Sequence, residues 1–378
     1  MVVTHGQIPS YFSVANHSHL RIDRERIKKK GMFFMFKSIT SLLALRTAMA
    51  AFYIFLSAAC ALAQPANQPV PASIKLNVVT TTSMIADLAR QIGGDQVEVT
   101  ALMGAGVDPH GYRQTRTDIV ALTRADLVLW HGLFLEAQME ELMRALEKSH
   151  VVIAVAESLP KQLLRTHDEY KDKFDPHVWM QPQLWSQLIP VVRDALIAAR
   201  PQSRSLFESN ALRHMREVNE LVIYAQKALE SVPKEQRVLI TAHDAFGYFG
   251  AAYGIEVMGI QGLSTESEAG LNRIKQLVNV LVERKIRSIF IESSVSDRNI
   301  RALIEGAGAQ GHTVIIGGEL FSDSMGQDKT YEGTYIGMMD HNITLIARAL
   351  GGEAPAQGMR GLLSVRGLLK NDGSTVKP

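Results

Sequence analysis

Short apolar runs alternate with segments of helical spacing along most of the chain. Four of these runs lie before residue 200 and four after residue 235, and each has the length of a strand. The alternation is typical of parallel α/β sheets and predicts two similar lobes. The predicted strands are Lys75–Thr82, Val97–Met103, Ala125–Trp130, Val151–Val155, Val238–Ala242, Ile255–Gly259, Ser288–Glu292 and Thr313–Gly317.

The segment from Ser203 to Ser231, between the two sets of strands, predicts one long helix. It contains no Gly or Pro, while Pro201 lies near its start and Pro233 follows its end. A helix of this length spans about 43 Å and would link the lobes rigidly; the alternative is a surface helix of one large domain. The predicted apolar face consists of Phe207, Ala211, Met215, Val218, Val222, Ala225 and Leu229.

These patterns divide the chain into five parts. Residues 1–63 form a leader, 64–75 a Pro-rich tether, 76–200 the N-terminal lobe, 201–233 the linking helix, and 234–378 the C-terminal lobe with a tail.

The leader has the pattern of a secretory signal. Basic residues precede an apolar run from Ala48 to Ala59, and Ala61-Leu62-Ala63 offers small residues for cleavage before Gln64. The sequence therefore predicts export to the periplasm. The polar stretch before the apolar run is long, which leaves two interpretations: translation begins at Met32 or Met35, or the signal itself is long.

Charge and cysteine content limit the kinds of binding partner and metal ligand that the chain can have. Residues 1–63 carry eight Lys and Arg against two acidic residues, so the remainder has a net charge of −4 within the total of +2. The basic character thus belongs to the leader, and no nucleic-acid surface is predicted. Cleavage at Gln64 would remove Cys60, the single cysteine. Any metal would then be held by nitrogen and oxygen ligands.

The tripeptide Asp-Pro-His occurs twice, as Asp108-Pro109-His110 and Asp175-Pro176-His177. Proline fixes its own φ and holds the preceding residue extended, so each histidine leaves a stiffened turn. His243 and Asp323 follow predicted strands. Because ligands of parallel α/β sheets bind beyond the carboxyl ends of strands, three imidazoles and a carboxylate are candidates for one metal site. The alternative is that the prolines mark turns and the histidines cap helices.

Other polar residues leave two interpretations each. Glu292, at a predicted strand end, orients a ligand or belongs to a polar rim. Asp108, Asp175 and Asp244 accept the second ring N–H of a neighbouring histidine or cap the following helix. His131 is structural or supports the site. The histidines predicted to be solvated or capping are His150, His214, His312 and His341.

In combination, these motifs resemble the TroA-type, or cluster A-I, substrate-binding proteins of zinc and manganese ABC importers. The resemblance covers residues 76–350 and implies two (β/α)4 lobes with parallel sheets, joined by one long helix. It also implies one ion held by His110, His177, His243 and Asp323, an inner-membrane ABC permease as partner, and no catalysis; we expect a monomer. The runs that carry it are Val107–His110, Asp175–Trp179, Thr241–Phe249, Gly259–Thr265, Ile291–Ser294 and Gly318–Gly326.

Two departures from the family pattern bear on the metal. Zinc-specific members often carry a His-rich loop before the second ligand, where residues 161–175 hold only His167. Manganese-specific members often have Glu at the third ligand, where this chain has His243. The affinity order favours Zn²⁺ over Mn²⁺ at most such sites, so ligand identity does not decide. We predict Mn²⁺ as the preferred ion, with Zn²⁺ close behind.

The same His and Asp residues also suit a metal-dependent hydrolase, the alternative function. Such enzymes keep an open coordination position for water and a nearby general base. The sequence contains no His-Glu-x-x-His helix, no Gly-x-Ser-x-Gly and no phosphate-binding Gly-rich loop. We therefore expect a binding protein rather than an enzyme.

Overall fold

The computed structural model describes residues 74–167 and 170–364, together with Met49. The predicted signal, Cys60 and nearly all of the tether lie outside the described residues, as does the tail beyond Ser364. In the described part of the chain, we find no helix with the length and apolar character needed to cross a membrane.

The N-terminal half is built on a parallel sheet. Its elements are β1 (Leu76–Thr80), α1 (Ser83–Gly93), β2 (Val97–Ala101), α2 (Arg116–Arg124), β3 (Leu127–Trp130), α3 (Glu140–Leu146), β4 (Val152–Ala154), β5 (Thr166–His167), β6 (Tyr170–Phe174), α4 (Pro182–Trp185) and α5 (Ile189–Ala199). The sheet has the order β2-β1-β3-β4, and β3 is buried along its whole length. Such continuous apolar runs are expected for strands covered on both faces.

Two features of this half differ from the sequence prediction. β5 and β6 form an antiparallel hairpin that the apolar pattern does not reveal. The helical pattern of residues 183–200 contains Pro190 and predicts one helix kinked at that proline, whereas the structure has two helices, α4 and α5, with Pro190 in the first turn of α5. Proline is favoured there because the first N–H groups of a helix have no intrahelical partner.

The predicted linking helix is present as α6 (Arg204–Glu230). Its 27 residues span about 40 Å. Most of the predicted apolar face is buried, but Met215 is exposed. α6 packs against α1 and α5 on the N-terminal side.

The C-terminal half repeats the parallel pattern. Its elements are β7 (Val238–Thr241), α7 (Gly247–Tyr253), β8 (Glu256–Gly259), α8 (Leu271–Glu283), β9 (Ser288–Glu292), α9 (Arg298–Ala309), β10 (Ile315–Leu320) and α10 (Tyr335–Ala349). β7 pairs with β8 and β9 with β10, both in parallel, and β7 lies beside β9. α10 is buried over nearly its whole length and packs against α6. α6 thus contacts both halves.

β10 ends three residues later than predicted. The predicted strand ends at Gly317, but the register shifts at this point and the strand continues to Leu320. Gly318 has a φ of 145°, a conformation that side chains rarely adopt. The glycines therefore form a bulge inside the strand, and Asp323 follows its true end closely.

The described chain is an α/β protein with parallel sheets and two lobes on either side of a long helix, as predicted. Its largest apolar cluster includes residues from both lobes and from α6. The exact lobe boundaries, at residues 200/201 and 233/234, stay a prediction.

Candidate metal centre

Four predicted residues come together at strand ends and in nearby loops. His110 lies in the loop between β2 and α2, and His177 follows β6. His243 follows β7, and Asp323 follows β10. All four side chains are buried. One potential ligand atom from each lies within 4.8 Å of the others.

The distances between these atoms describe a tight cluster. Nε2 of His110 lies 3.3 Å from Nε2 of His177. The Asp323 carboxylate lies between the imidazoles: Oδ1 is 3.4 Å from Nε2 of His177, and Oδ2 is 3.1 Å from Nε2 of His243. Nε2 of His110 is 3.9 Å from Oδ2. Ligand atoms bound to one ion at about 2 Å stand at comparable separations.

Two imidazoles are oriented by carboxylates behind them. Nδ1 of His177 donates to Oδ1 of Asp175 at 2.8 Å, and Nδ1 of His243 donates to Oε2 of Glu292 at 2.5 Å. Each carboxylate also accepts the backbone N–H of its histidine, both at 2.9 Å. These bonds fix the ring with Nε2 facing the cluster, as metal-bound histidines require. Glu292 is thus buried against His243 and does not belong to a polar rim.

The centre of the cluster contains buried polar atoms that lack hydrogen bonds. Among the described residues, Nε2 of His243 and both carboxylate oxygens of Asp323 have no hydrogen-bond partner. Leaving such groups unsatisfied in the interior is costly. The donor set, three imidazole nitrogens and a carboxylate, therefore fits a divalent transition metal.

The electrostatics of the cluster are strongly coupled. Burial lowers the pKa of His110 to about 3. Burial also disfavours charge on His177, but the carboxylates of Asp175 and Asp323 outweigh it and raise that pKa to about 9. His243 has its pKa raised well above the usual value, because Asp323 and Glu292 overcome its burial. The histidines in turn hold the pKa of Asp323 well below its ordinary value despite burial. A bound cation would take the place of these protons.

The three neighbouring aspartates have different surroundings. Asp175 supports the ring of His177, whereas Asp108 accepts the backbone N–H of His110 at 2.9 Å. Oδ2 of Asp108 also accepts a short hydrogen bond from the Thr265 hydroxyl in the other lobe. Asp244 lines a cavity of about 240 Å³ between the lobes.

A buried layer beneath the cluster involves residues whose contacts the sequence did not indicate. Nε2 of His131 donates to the Pro176 carbonyl at 2.7 Å, so His131 supports the turn that carries His177. Glu136 accepts the N–H of His131 at 2.8 Å, and burial raises its pKa to about 7. Trp179 donates Nε1–H to the Ser322 carbonyl at 2.8 Å. The sequence alone predicts His131 as structural or as support for the site, but it does not predict the role of Glu136 or the contact of Trp179.

Two histidines predicted to be solvated or capping are buried. His214 lies on α6 and is 1% exposed, with Nδ1 3.4 Å from the Glu217 carboxylate. His341 donates Nε2–H to the Glu319 carbonyl at 2.9 Å. Both lie on helices that contact two neighbouring elements, and the sequence spacing alone does not show which faces are covered.

Comparison with known proteins identifies the family. A family model described as "Zinc-uptake complex component A periplasmic" matches residues 78–349. The chain belongs to this family. The matched segment covers both lobes and α6, and it includes all four residues of the cluster.

Curated proteins that resemble this chain carry different metals in their names. The manganese-binding lipoprotein MntA of Bacillus subtilis (strain 168) is 46% identical over 276 residues, which are 73% of this chain and 90% of MntA. The zinc-binding protein TroA of Treponema pallidum (strain Nichols) is 45% identical over 273 residues, 72% of this chain and 88% of TroA. The iron-binding protein YfeA of Yersinia pestis is 30% identical over 287 residues, 75% of this chain and 89% of YfeA.

A solved structure supports the same assignment. The periplasmic zinc-binding protein TroA from Treponema pallidum superimposes with a TM-score of 0.71 at 44% sequence identity. The match covers 73% of this chain and 99% of that chain. The fold of the zinc-uptake component A family therefore extends over nearly all described residues.

Proposed function

We propose that the protein binds one divalent transition metal ion between its lobes and delivers it to an ABC importer. The single observation that carries this proposal is the cluster of His110, His177, His243 and Asp323. Their ligand atoms lie within 4.8 Å of one another, and all four side chains are buried. Neutral imidazoles and a carboxylate suit Zn²⁺, Mn²⁺ and Fe²⁺.

We propose Mn²⁺ as the preferred ion, with Zn²⁺ close behind. Support comes from Asp323, whose two oxygens face different imidazoles and are free to bind the ion together. A bidentate carboxylate raises the coordination number above four, whereas zinc sites are usually tetrahedral. The names of MntA and TroA contain manganese and zinc, respectively, so both ions belong in the test.

The proposed partner is an ABC permease in the inner membrane. A relative in Streptococcus anginosus, 30% identical over 282 residues, is named a manganese ABC transporter substrate-binding lipoprotein. For this chain we propose export to the periplasm, action as a monomer and transfer of the ion to the permease. The predicted signal within residues 1–63 supports export.

The alternative, a metal-dependent hydrolase, is less well supported by the cluster. The family consists of substrate-binding proteins of metal transporters, which are not enzymes. Four buried side chains surrounding one position leave little room for a substrate, and Glu292 and Asp175 are engaged with ligand histidines. We infer that the site holds the ion without chemical turnover.

The test is elemental analysis of the exported protein purified from its native periplasm without chelator. We expect one ion per chain, predominantly manganese, and a large thermal shift when Mn²⁺ or Zn²⁺ is added to the stripped protein. Substoichiometric metal and no thermal shift would contradict the proposal. Esterase and phosphatase turnover dependent on the metal would favour the hydrolase instead.

A further inference from the structure

The loop that carries His110 is held differently from the other two histidines. His177 and His243 have carboxylates behind their rings, whereas the contact to Asp108 fixes the backbone of His110. Residues 102–115 contain no helix or strand. The two ends of the loop are held within the N-terminal lobe, where the N–H of Met103 donates to the Thr81 carbonyl and the Tyr112 hydroxyl donates to Asp118. Between them, the N–H of Gly106 donates to Oγ of Ser324 in the C-terminal lobe at 2.9 Å.

Asp108 connects this loop to the opposite lobe. Oδ1 accepts the N–H of His110, and Oδ2 accepts the hydroxyl of Thr265 in the segment between β8 and α8. One carboxylate therefore bridges a proposed ligand and the C-terminal lobe. The two loops also touch beside this bond: a Cβ at Gly111 would lie 2.5 Å from Oε1 of Glu266.

Other hydrogen bonds between the lobes are made by fully buried aromatic side chains. Trp179 donates to the Ser322 carbonyl, and the Tyr335 hydroxyl donates to the Trp179 carbonyl at 2.8 Å. Both aromatic side chains are fully buried. Asp108 and Thr265 are only partly buried. Their bond is therefore accessible to water and can break without disrupting the core.

We propose that the Asp108–Thr265 hydrogen bond is a strap that keeps the His110 loop against the C-terminal lobe and sets the rate of metal release. This inference rests on the proposed function. With the strap intact, His110 is held at the cluster by its own backbone. With the strap broken, the loop loses a cross-lobe anchor, and the ion loses one imidazole while His177, His243 and Asp323 remain in place. Asp108 and Thr265 are positioning residues in this account, and neither binds the ion.

The decisive variant is Thr265→Val, which keeps the shape of the side chain and removes the hydroxyl. A hydrogen bond to a charged acceptor stabilises the position of the His110 loop. Its loss should therefore speed metal release about tenfold. The association rate and the stoichiometry should stay unchanged, because the four ligands are intact. Thr265→Ser keeps the hydroxyl and should release metal at nearly the wild-type rate.

Ser264→Ala is the matched control. The Ser264 hydroxyl accepts the N–H of Glu266 at 3.3 Å within the same loop and does not reach the other lobe. Release is measured on the zinc-loaded full-length exported protein by stopped-flow transfer of Zn²⁺ to excess chromogenic chelator. Asp108→Asn, alone and combined with Thr265→Val, completes a double-mutant cycle.

The possible outcomes distinguish a failure of the strap proposal from a failure of the proposed metal-binding function. The strap is supported if Thr265→Val releases metal faster than the wild type while Thr265→Ser and Ser264→Ala release it at nearly the wild-type rate. It is also supported if the double variant Asp108→Asn/Thr265→Val releases metal no faster than the faster of the two single variants. Wild-type release rates in Thr265→Val, or equal acceleration by all three loop variants, overturn it. A wild-type protein that binds no Zn²⁺ and no Mn²⁺ would overturn the proposed function instead.

Discussion

At the scale of single residues, Asp323 differs from the other members of the cluster because it is the one carboxylate among three imidazoles. Its side chain is completely buried, and the three imidazoles hold its pKa well below the ordinary value despite that burial. Hard oxygen donors contribute more to manganese binding than to zinc binding, since imidazoles alone bind zinc well. Asp323 is therefore the residue whose loss should separate the two ions.

We expect Asp323→Ala to weaken Mn²⁺ binding more than Zn²⁺ binding. Zinc can be held by three imidazoles and a water molecule. The loss for Mn²⁺ should exceed that for Zn²⁺ by about tenfold, equivalent to about 1.4 kcal/mol. Calorimetry with both ions measures the difference, and Asp328→Ala, an exposed aspartate five residues away, is the control. Equal losses for the two ions would count against the assigned role.

The raised pKa values of His177 and His243 give the metal affinity a defined pH dependence. Both imidazoles carry protons near pH 7 in the metal-free protein, because their folded pKa values lie above it. Metal binding must displace these protons. The apparent affinity should therefore rise with pH while these protons are displaced and fall in acid, and the contribution of His177 should level off near its pKa of about 9.

Calorimetry across this pH range measures the effect. A second measurement, bound metal against pH at two free-metal concentrations, should show a midpoint that moves to lower pH as metal rises. An affinity that does not change with pH, or a midpoint that ignores metal concentration, would show that the site does not depend on these imidazoles.

The residues of the cluster were predictable because each lies in a recognisable local motif. The repeated Asp-Pro-His tripeptides and the strand ends before His243 and Asp323 are enough to predict that all four lie together. Thr265 was not predictable as a contact of Asp108, because that bond joins residues 157 positions apart in the chain. Such pairings are set by how two loops meet, and local sequence does not contain them.

At the scale of elements, the strands and α6 follow the apolar pattern closely, while the irregular parts do not. The hairpin of β5 and β6 escaped prediction because it is short and its sequence lacks an apolar run. The end of β10 was predicted too early, at Gly317, because glycine often lies at the end of a strand. Here Gly317 and Gly318 instead permit a bulge and close packing within the strand.

The bulge at Gly318 is open to a direct test with Gly318→Ala. A Cβ there would lie 2.6 Å from Cδ2 of Leu345, and the φ of 145° disfavours any side chain. Overpacking of this kind costs about 1–3 kcal/mol, to which backbone strain adds. We expect a clear fall in the melting temperature of the metal-free protein.

Gly308→Ala is the matched control for this substitution. Gly308 lies on α9, and nothing approaches the position of its Cβ within 4 Å. Alanine is favoured over glycine inside helices by about 1 kcal/mol, so this variant should be as stable as the wild type or more so. If Gly318→Ala melts at the wild-type temperature, the bulge does not require glycine.

At the scale of the whole molecule, the position of the mature N-terminus decides whether the protein is soluble or anchored. MntA is named a lipoprotein, and lipoproteins are attached through a cysteine. In this chain Cys60 precedes the segment Ala61-Leu62-Ala63. Leu56 lies four positions before Cys60, which matches a lipoprotein signal poorly.

We expect the exported protein to begin at Gln64 and to lack Cys60. The prediction follows from Ala61 and Ala63, two small residues just before the cleavage point. Intact-mass measurement of the protein from the periplasmic fraction determines the first residue. A lipid-modified Cys60 at the N-terminus would contradict the cleavage prediction and place the protein on a membrane surface.

The architecture of the molecule explains how distant residues make one site. The loops after β2 and β6 supply two imidazoles from the N-terminal lobe, and those after β7 and β10 supply the third imidazole and the carboxylate. α6 packs against helices of both lobes, so the two halves of the site share one support. The alternation of strands and helices predicted this arrangement, whereas the pairing of strands in the C-terminal half required the structure.

The central claim is that one ion is held by His110, His177, His243 and Asp323, and anomalous diffraction tests it most directly. Crystals of the manganese-loaded protein are measured above and below the manganese absorption edge. We predict a single anomalous peak within about 2 Å of the three Nε2 atoms and the Asp323 carboxylate. A strong peak elsewhere, or none at this cluster in protein that retains one manganese per chain, would contradict the claim.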